Sequence, residues 1–330
     1  MERGNFRVKI LIDATGGDNA PKAQVEAVNN IPKLKGVEIV LLGEKKKLKK
    51  YEGNFTKVYT EDDVKSDDDV VSAIKNKKNS SMAVAMRMIA DGEADCLISA
   101  GNTGALAGMS SLYLKKIKNV RRMALAPVIK SRNSNFMILD SGINTKLSAE
   151  HYLQFATMGS QYMRAMFGIK KPRVGLLNVG SEDNKGTEEL VEAYKLLKKS
   201  KLNFVGNVEA REVEDMPVDV LVTDGYAGNI FLKTMEGTAG LITGKLKEVI
   251  YSKLQYKLGG LLIKSGIDLL KDQLDYRTYG GSAILGVNGL VIKAHGSSDA
   301  IAFQYAITQA ITLTKNKMIE KMVKVLSKIK

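Results

Sequence analysis

Short apolar runs that end in polar, glycine-rich turns alternate with amphipathic stretches along this chain. Val8–Ile12, Ile39–Leu42, Cys96–Ser99, Met123–Ile129, Phe136–Leu139, Arg173–Val179, Phe204–Val208 and Val218–Thr223 have the length and continuity of buried strands. Gly43 closes the second of these runs. Between them, apolar residues at helical spacing predict helices after Pro21 (Val25, Val28), over Ser80–Ala90, after Thr103 (Ala105, Leu106, Met109), over Ser148–Phe167, from Thr187 and after Asn229. Asp67, Asp68 and Asp69 precede Val70, and acidic residues at a helix start favour the helix dipole; that reading is preferred to metal binding. Glu44–Lys50 reads as a charged, solvated run.

The stretch Glu93–Met109 shows the unit most clearly. A strand stops at Ala100-Gly101-Asn102-Thr103-Gly104 and feeds a helix, so the turn lies at the carboxyl edge of a sheet, where outward-facing N–H groups favour an anion. Alternating strands and helices predict an α/β fold with a largely parallel, doubly wound sheet. Ligands in such sheets bind beyond the carboxyl ends of the strands. The turns at 13–19, 100–104, 140–144, 180–186 and 224–229 are therefore expected to line one cleft.

Residues 240–275 follow a different pattern, helical, amphipathic and lysine-rich, with interruptions expected at Gly259-Gly260 and Gly266. A projecting helical hairpin is expected there, its apolar tip formed by Leu258, Leu261, Leu262 and Ile263, placed against a second subunit, a membrane surface or both. Ile284–Ala294 reads as a β-hairpin turning near Asn288-Gly289. The tail from Lys315 carries six lysines against one glutamate, the pattern of a solvated basic face.

Composition narrows the classes. The 330 residues, five of them proline, show no linker or internal repeat and are taken as one catalytic α/β domain over 1–330. The single cysteine, Cys96, lies in an apolar run and reads as a buried thiol in a reducing cytoplasm. Two histidines and one cysteine argue against a zinc site, and no metal or cofactor is expected. The net charge of +14 suits an acidic protein or anionic lipid; with 6% aromatics, no tryptophan and no recognised motif, nucleic acid is not expected. No apolar run is of membrane-spanning length, and the first residues lack a signal peptide's long apolar region.

The segments DATGGDNAPKA, KKNSSMAVA, SAGNTGAL, LLNVGSEDNKG, GNVEARE, VTDGYAGNIFLKTMEG, YGGSAILGV and VIKAHGSSDA occur in the order seen in the bacterial phosphate acyltransferases, which the chain resembles from about Val8 to Ala310. It departs from that family at Thr15, Ser141, Ile143 and Ser282, positions that reshape a cleft wall without removing a charged group. The resemblance implies a Rossmann-like α/β/α fold of the isocitrate dehydrogenase and phosphotransacetylase group, and conversion of acyl-(acyl carrier protein) and inorganic phosphate to acyl phosphate. It also implies a homodimer, attached peripherally to the anionic inner face of the cell membrane, whose product serves a downstream glycerol-3-phosphate acyltransferase. Lys185 and Asn229 match the family's catalytic lysine and asparagine. Asp13, Gly16, Gly17, Asn102, Thr103, Gly104, Asn144 and His295 are the expected phosphate or substrate contacts. His295 is read as structural or a hydrogen-bond donor, since phosphate is already an anion and hardly needs a base. The alternatives are a phosphotransacetylase-like enzyme using acyl-CoA and a noncatalytic module that binds a carrier protein or a membrane.

Overall fold

The structure, a computed structural model, describes residues 8–131, 134–213, 215–267 and 280–328. The first part of the chain runs through β1 (Val8–Asp13), α1 (Lys22–Asn30), β2 (Val37–Glu44), α2 (Lys45–Leu48) and β3 (Thr56–Thr60). It continues through α3 (Val70–Asn76), α4 (Ser81–Ala90), β4 (Cys96–Ser99) and α5 (Thr103–Met109), which passes into a π-helical turn at Ser110–Leu114. The middle comprises β5 (Ala124–Ala126), β6 (Val128–Lys130), β7 (Asn135–Leu139), α6 (Ala149–Phe167), β8 (Arg173–Asn178), α7 (Glu188–Lys199), β9 (Asn203–Glu209) and β10 (Val220–Val222). Then come α8 (Gly225–Ser252), α9 (Leu254–Leu262), β11 (Ser282–Leu285), β12 (Leu290–Lys293), α10 (Ala300–Lys315) and α11 (Met318–Leu326).

The strands form two sheets. A seven-stranded sheet has the order β3-β2-β1-β4-β12-β11-β5, and a five-stranded one has the order β6-β7-β10-β8-β9. Pairing is parallel except at one margin of each sheet: β11 runs antiparallel to β12 and β5, and β6 antiparallel to β7. Buried on both faces, strands such as β1 (VKILID) must be apolar almost throughout. The helices that follow are opened by polar side chains: Asp69, Ser80, Asn102, Thr187, Asp224 and Asp299 each accept a hydrogen bond from a first-turn N–H. One apolar core runs from Ile10 and Ile12 through Phe155 and Tyr162 of α6 to Val174 and Val220 in the second sheet. Truncating the fully buried Phe155 to alanine would cost about 3–5 kcal/mol.

The structure corrects the sequence reading at several points. Met123–Ile129 is not one strand. Pro127, which has no N–H to give a ladder, separates β5 in the first sheet from β6 in the second, while its carbonyl accepts from Ile138 N at 3.0 Å. The expected single sheet is therefore two, and the chain changes sheets at this proline. Gly43 lies within β2 and does not close it. The run after it contains α2, whose Leu48 is buried, and β3 follows where no strand was expected. Residues 224–229 are not a turn: helix α8 already begins at Gly225.

The helical hairpin breaks at Lys253, whose backbone is extended (φ −138°, ψ 150°), and not at Gly259-Gly260. Those glycines lie inside α9, which returns alongside α8. A Cβ at Gly260 would stand 2.7 Å from Ile250 Cγ2, so this glycine permits close helix packing. Leu258, Leu261, Leu262 and Ile263 consequently occupy the returning arm, well exposed, rather than the tip. Residues 268–275 of the expected hairpin lie outside the described residues. The β-hairpin at β11–β12 and the buried Cys96 are as expected. In α11, Met318, Met322 and Leu326 are buried, against α6, and the lysines lie on the remaining faces.

Candidate active site

A polar cleft of about 920 Å³ lies between the two sheets. Its first wall is made by the turns after β1 (Thr15–Asp18) and β4 (Ala100–Gly104) and by the residues that end β12 (Lys293–Gly296). Ser141 and Gly142, together with Asn229, Leu232, Lys233 and Glu236 of α8, make the other. The two turns of the first wall touch backbone to backbone, and a Cβ at Gly16 would meet Gly101 N at 2.5 Å.

Asp13 lies beneath this wall, fully buried. Its Oδ1 accepts from Thr15 N at 3.0 Å, Thr15 Oγ1 at 2.7 Å and Ser81 Oγ at 2.6 Å; its Oδ2 accepts from Ser99 Oγ at 2.6 Å. Four donors satisfy a buried carboxylate and bind the ends of β1, β4 and α4 together. Asp140, just after β7, ties its own turn to β5 of the first sheet, accepting N–H groups from Leu125, Ser141, Ile143 and Asn144. Burial pushes its carboxyl up from the ordinary range against these bonds. Asn144 is buried, its amide donating to Met123 O and Asp140 Oδ2. Asn102 caps α5 through Ala105 N at 2.9 Å and reaches Ser66 O at 3.0 Å, which ties the loop before α3 to the cleft.

Three nitrogen bases face the cleft. Lys293 is mostly buried, and burial lowers its ammonium to about 8, although Asp13 and Asp18 oppose the shift. Lys233 pairs with Glu236 at 2.7 Å on the second wall. His295 bonds Ser297 Oγ at 2.8 Å and is held below its ordinary range by burial and by Lys233.

On the other face of α8 lies an apolar cavity of about 1070 Å³. Ile129, Leu177, Leu190, Ile230, Phe231 and Met235 contribute to its lining, and Ile129, Leu232 and Glu236 border the polar cleft as well. The 180–186 turn belongs to this side: Gly186 and Thr187 line the cavity. Lys185 lies next to them, its side chain 48% exposed and its Nζ 3.9 Å from Glu182 Oε1.

Gly16, Gly17, Asn102, Thr103, Gly104, Asn229 and His295 thus share the polar cleft, with Asp13 beneath it and Asn144 behind its second wall. Lys185 lies apart from them, by the apolar cavity. Sequence reasoning missed Lys293, Lys233, Ser81 and Ser99. For Lys293 a signal existed: a lysine closing an apolar strand directly before a His-Gly turn. Among the described residues there is no group of three or more His, Cys, Asp or Glu able to hold a metal ion.

The fold is that of the phosphotransacetylases. EutD phosphotransacetylase from Staphylococcus aureus aligns with a TM-score of 0.58 at 14% identity, over 93% of this chain and 94% of that one. A 4-hydroxythreonine-4-phosphate dehydrogenase from Klebsiella pneumoniae gives 0.55 at 12% identity, over 93% and 99%. Sequence comparison is more specific. A family model described as fatty acid synthesis protein matches residues 8–321. The phosphate acyltransferase of Caldanaerobacter subterraneus is 43% identical over 94% of this chain and 95% of its own length, and that of Clostridium acetobutylicum 43% over 94% and 97%. The chain belongs to the phosphate acyltransferase family, and it is an enzyme.

Proposed function

We propose that this enzyme takes its acyl group from acyl carrier protein and transfers it to inorganic phosphate. The observation that carries this reading is the position of α8, which has the polar cleft on one side and the apolar cavity on the other, with Leu232 and Glu236 bordering both. Phosphate occupies the cleft, the acyl chain the cavity, and the thioester carbonyl the boundary beside Asn229. An oxygen of hydrogen phosphate attacks that carbonyl; the new C–O bond forms as the C–S bond breaks. The electron pair leaves with the carrier's sulfur, and the proton of hydrogen phosphate ends on the thiol.

Holding both reactants in one geometry supplies most of the acceleration, and no covalent enzyme intermediate is needed. Asn229 donates to the oxyanion that develops on the carbonyl, and Lys185 brings a positive charge from the cavity side. In the structure that side chain is 48% exposed and its Nζ stands 3.9 Å from Glu182 Oε1. The backbone of Gly16, Gly17 and Gly104, with Thr103, contributes phosphate donors.

The enzyme works as a homodimer in the cytoplasm. Its exposed arm, Leu258, Leu261, Leu262 and Ile263, rests on the inner face of the membrane, flanked by Lys253, Lys257 and Lys264. No helix among the described residues is long and apolar enough to cross a membrane, so attachment is interfacial. Acyl phosphate is an activated acyl donor, suited to a downstream glycerol-3-phosphate acyltransferase. The test compares kcat/KM for acyl-(acyl carrier protein) and the matching acyl-CoA with phosphate as acceptor. The carrier substrate is expected to be preferred, and its advantage to shrink with salt as charge steering is screened. Preference for acyl-CoA at all ionic strengths would instead favour phosphotransacetylase-like chemistry.

A further inference from the structure

We propose that Lys293 holds the acceptor phosphate, with Lys233 as a second, outer cation across the cleft. The assignment deepens the reading of the cleft given above and rests on it. As the last residue of β12, Lys293 stands opposite Ser99 in the parallel register with β4, so a strand end and not a loop fixes its Cα. Its Nζ lies 3.5 Å from the carbonyl of Ala100, the first residue of the 100–104 turn, and it bonds the carbonyl of Ala294. An ammonium has three hydrogens, so these two neutral acceptors leave one for a ligand in the cleft.

The charge of Lys293 is poorly compensated by the protein itself. Most of its side chain is withdrawn from water, and a buried charge is costly unless it is paired. Asp13 is near, but its oxygens already accept from Thr15, Ser81 and Ser99. A small anion entering from the cleft completes the set. Gly16, Gly17, Gly101 and Gly104 line that approach, tightly packed where a Cβ would stand against neighbouring protein atoms, and Thr103 stands with them. Lys233 reaches in from α8; its bond to Glu236 and greater exposure make it the weaker of the two cations.

The charged groups acting on Lys293 are Asp13 and Asp18 from β1 and the turn after it, Lys233 from α8 and its neighbour His295; Glu236 of α8 and Asp63, Lys65 and Asp67 of the loop before α3 line the same cleft. Burial and Lys233 outweigh the two aspartates and leave the free ammonium at about 8. A dianion bound against it would favour its protonated form. Loss of that proton above about pH 8 should therefore weaken phosphate binding.

Two sources present the same chemistry, inorganic phosphate and the phosphodiester of the carrier's prosthetic arm. The experiment titrates inorganic phosphate into the full chain by calorimetry, without an acyl substrate, and then measures both KM values in the acyl transfer assay. Lys293→Met is expected to weaken phosphate binding and raise the phosphate KM at least about tenfold, the carrier KM unchanged. Lys233→Met is expected to shift both phosphate readings a few-fold, and Lys198→Met, on the far helix α7, to shift neither. The wild-type phosphate KM should climb above about pH 8, while Lys293→Arg, charged throughout, flattens that climb; the arginine variant decides the matter if the methionine variant does not fold. Wild-type affinity in a folded Lys293→Met protein, no phosphate binding by the wild type, an unchanged pH profile in Lys293→Arg, or a shift confined to the carrier KM would each overturn the assignment. Failure of acyl carrier protein as donor would leave the calorimetric result standing, so the two readings fail separately.

Discussion

Ser99 donates its hydroxyl to Asp13 Oδ2 at 2.6 Å, tying the carboxyl end of β4 to that of β1 under the floor of the polar cleft. With Thr15 and Ser81 on the other oxygen, the carboxylate acts as a buried staple for two strands and a helix. Asp13→Asn sets amide hydrogens against groups that themselves donate. The expected loss is about 1.5–3 kcal/mol, read from the midpoint of urea unfolding. A change below about 0.5 kcal/mol would mean that these hydrogen bonds contribute little to stability.

Lys185→Ala and Asn229→Ala are expected to lower turnover with the fold intact. Removing one preorganised oxyanion donor typically costs about 10²–10³ in rate. The asparagine, inside the cleft wall, should affect kcat and leave the phosphate KM nearly unchanged. Near-normal turnover in a folded Lys185→Ala protein would remove that lysine from the mechanism.

The parts of this fold legible in the sequence are those fixed by local chemistry. Ser80, Thr187 and Asp69 announce helix starts because each satisfies an N–H a few residues on, and β1 and β4 announce themselves as continuous apolar runs. What escaped depends on distant partners. Among the described residues Thr56–Thr60 pairs with β2 alone and is half exposed, so TKVYT carries too little apolar character to stand out. The change of sheet at Pro127 shows only once β5 finds β11 and β6 finds β7. Lys293 reads as one lysine among many; turns remote in sequence bury it. Five turns were expected around one cleft, but α8 divides the space and leaves the 180–186 turn on its apolar side.

His151 supplies a pH dependence. Its Nδ1 accepts from Ser148 N at 2.9 Å in the capping box of α6, which requires that nitrogen unprotonated. Burial, then Arg122 and Arg121, hold it below its ordinary range. The unfolded chain therefore binds this proton more readily than the folded one, and stability falls as pH drops through the unfolded value near about 6.5. The melting temperature should decline between about pH 7.5 and 5.5, a window His151 shares with His295, and His151→Gln should reduce that decline. An equal decline in the variant would contradict this role.

The exposed arm gives the membrane prediction. Leu262 is 86% and Leu261 68% exposed on α9. Full burial of such a side chain contributes about 1.5–3 kcal/mol, less at a partly wet interface, and each flanking lysine about 1 kcal/mol beside anionic lipid. The double variant Leu261→Glu with Leu262→Glu is expected to stay dimeric and active in solution but to stop sedimenting with vesicles rich in phosphatidylglycerol. Dissociation of the dimer instead would place these leucines in the subunit interface.

In the proposed reaction phosphate itself accepts the acyl group at the boundary between cleft and cavity. The most direct measurement follows purified enzyme, acyl-(acyl carrier protein) and inorganic phosphate by phosphorus NMR, with free thiol titrated in parallel. The expected result is a new acyl phosphate resonance that grows one-for-one with carrier thiol and is lost in Asn229→Ala. Thiol released without acyl phosphate, from the first time points onward, would make the enzyme a thioesterase and contradict acyl transfer to phosphate.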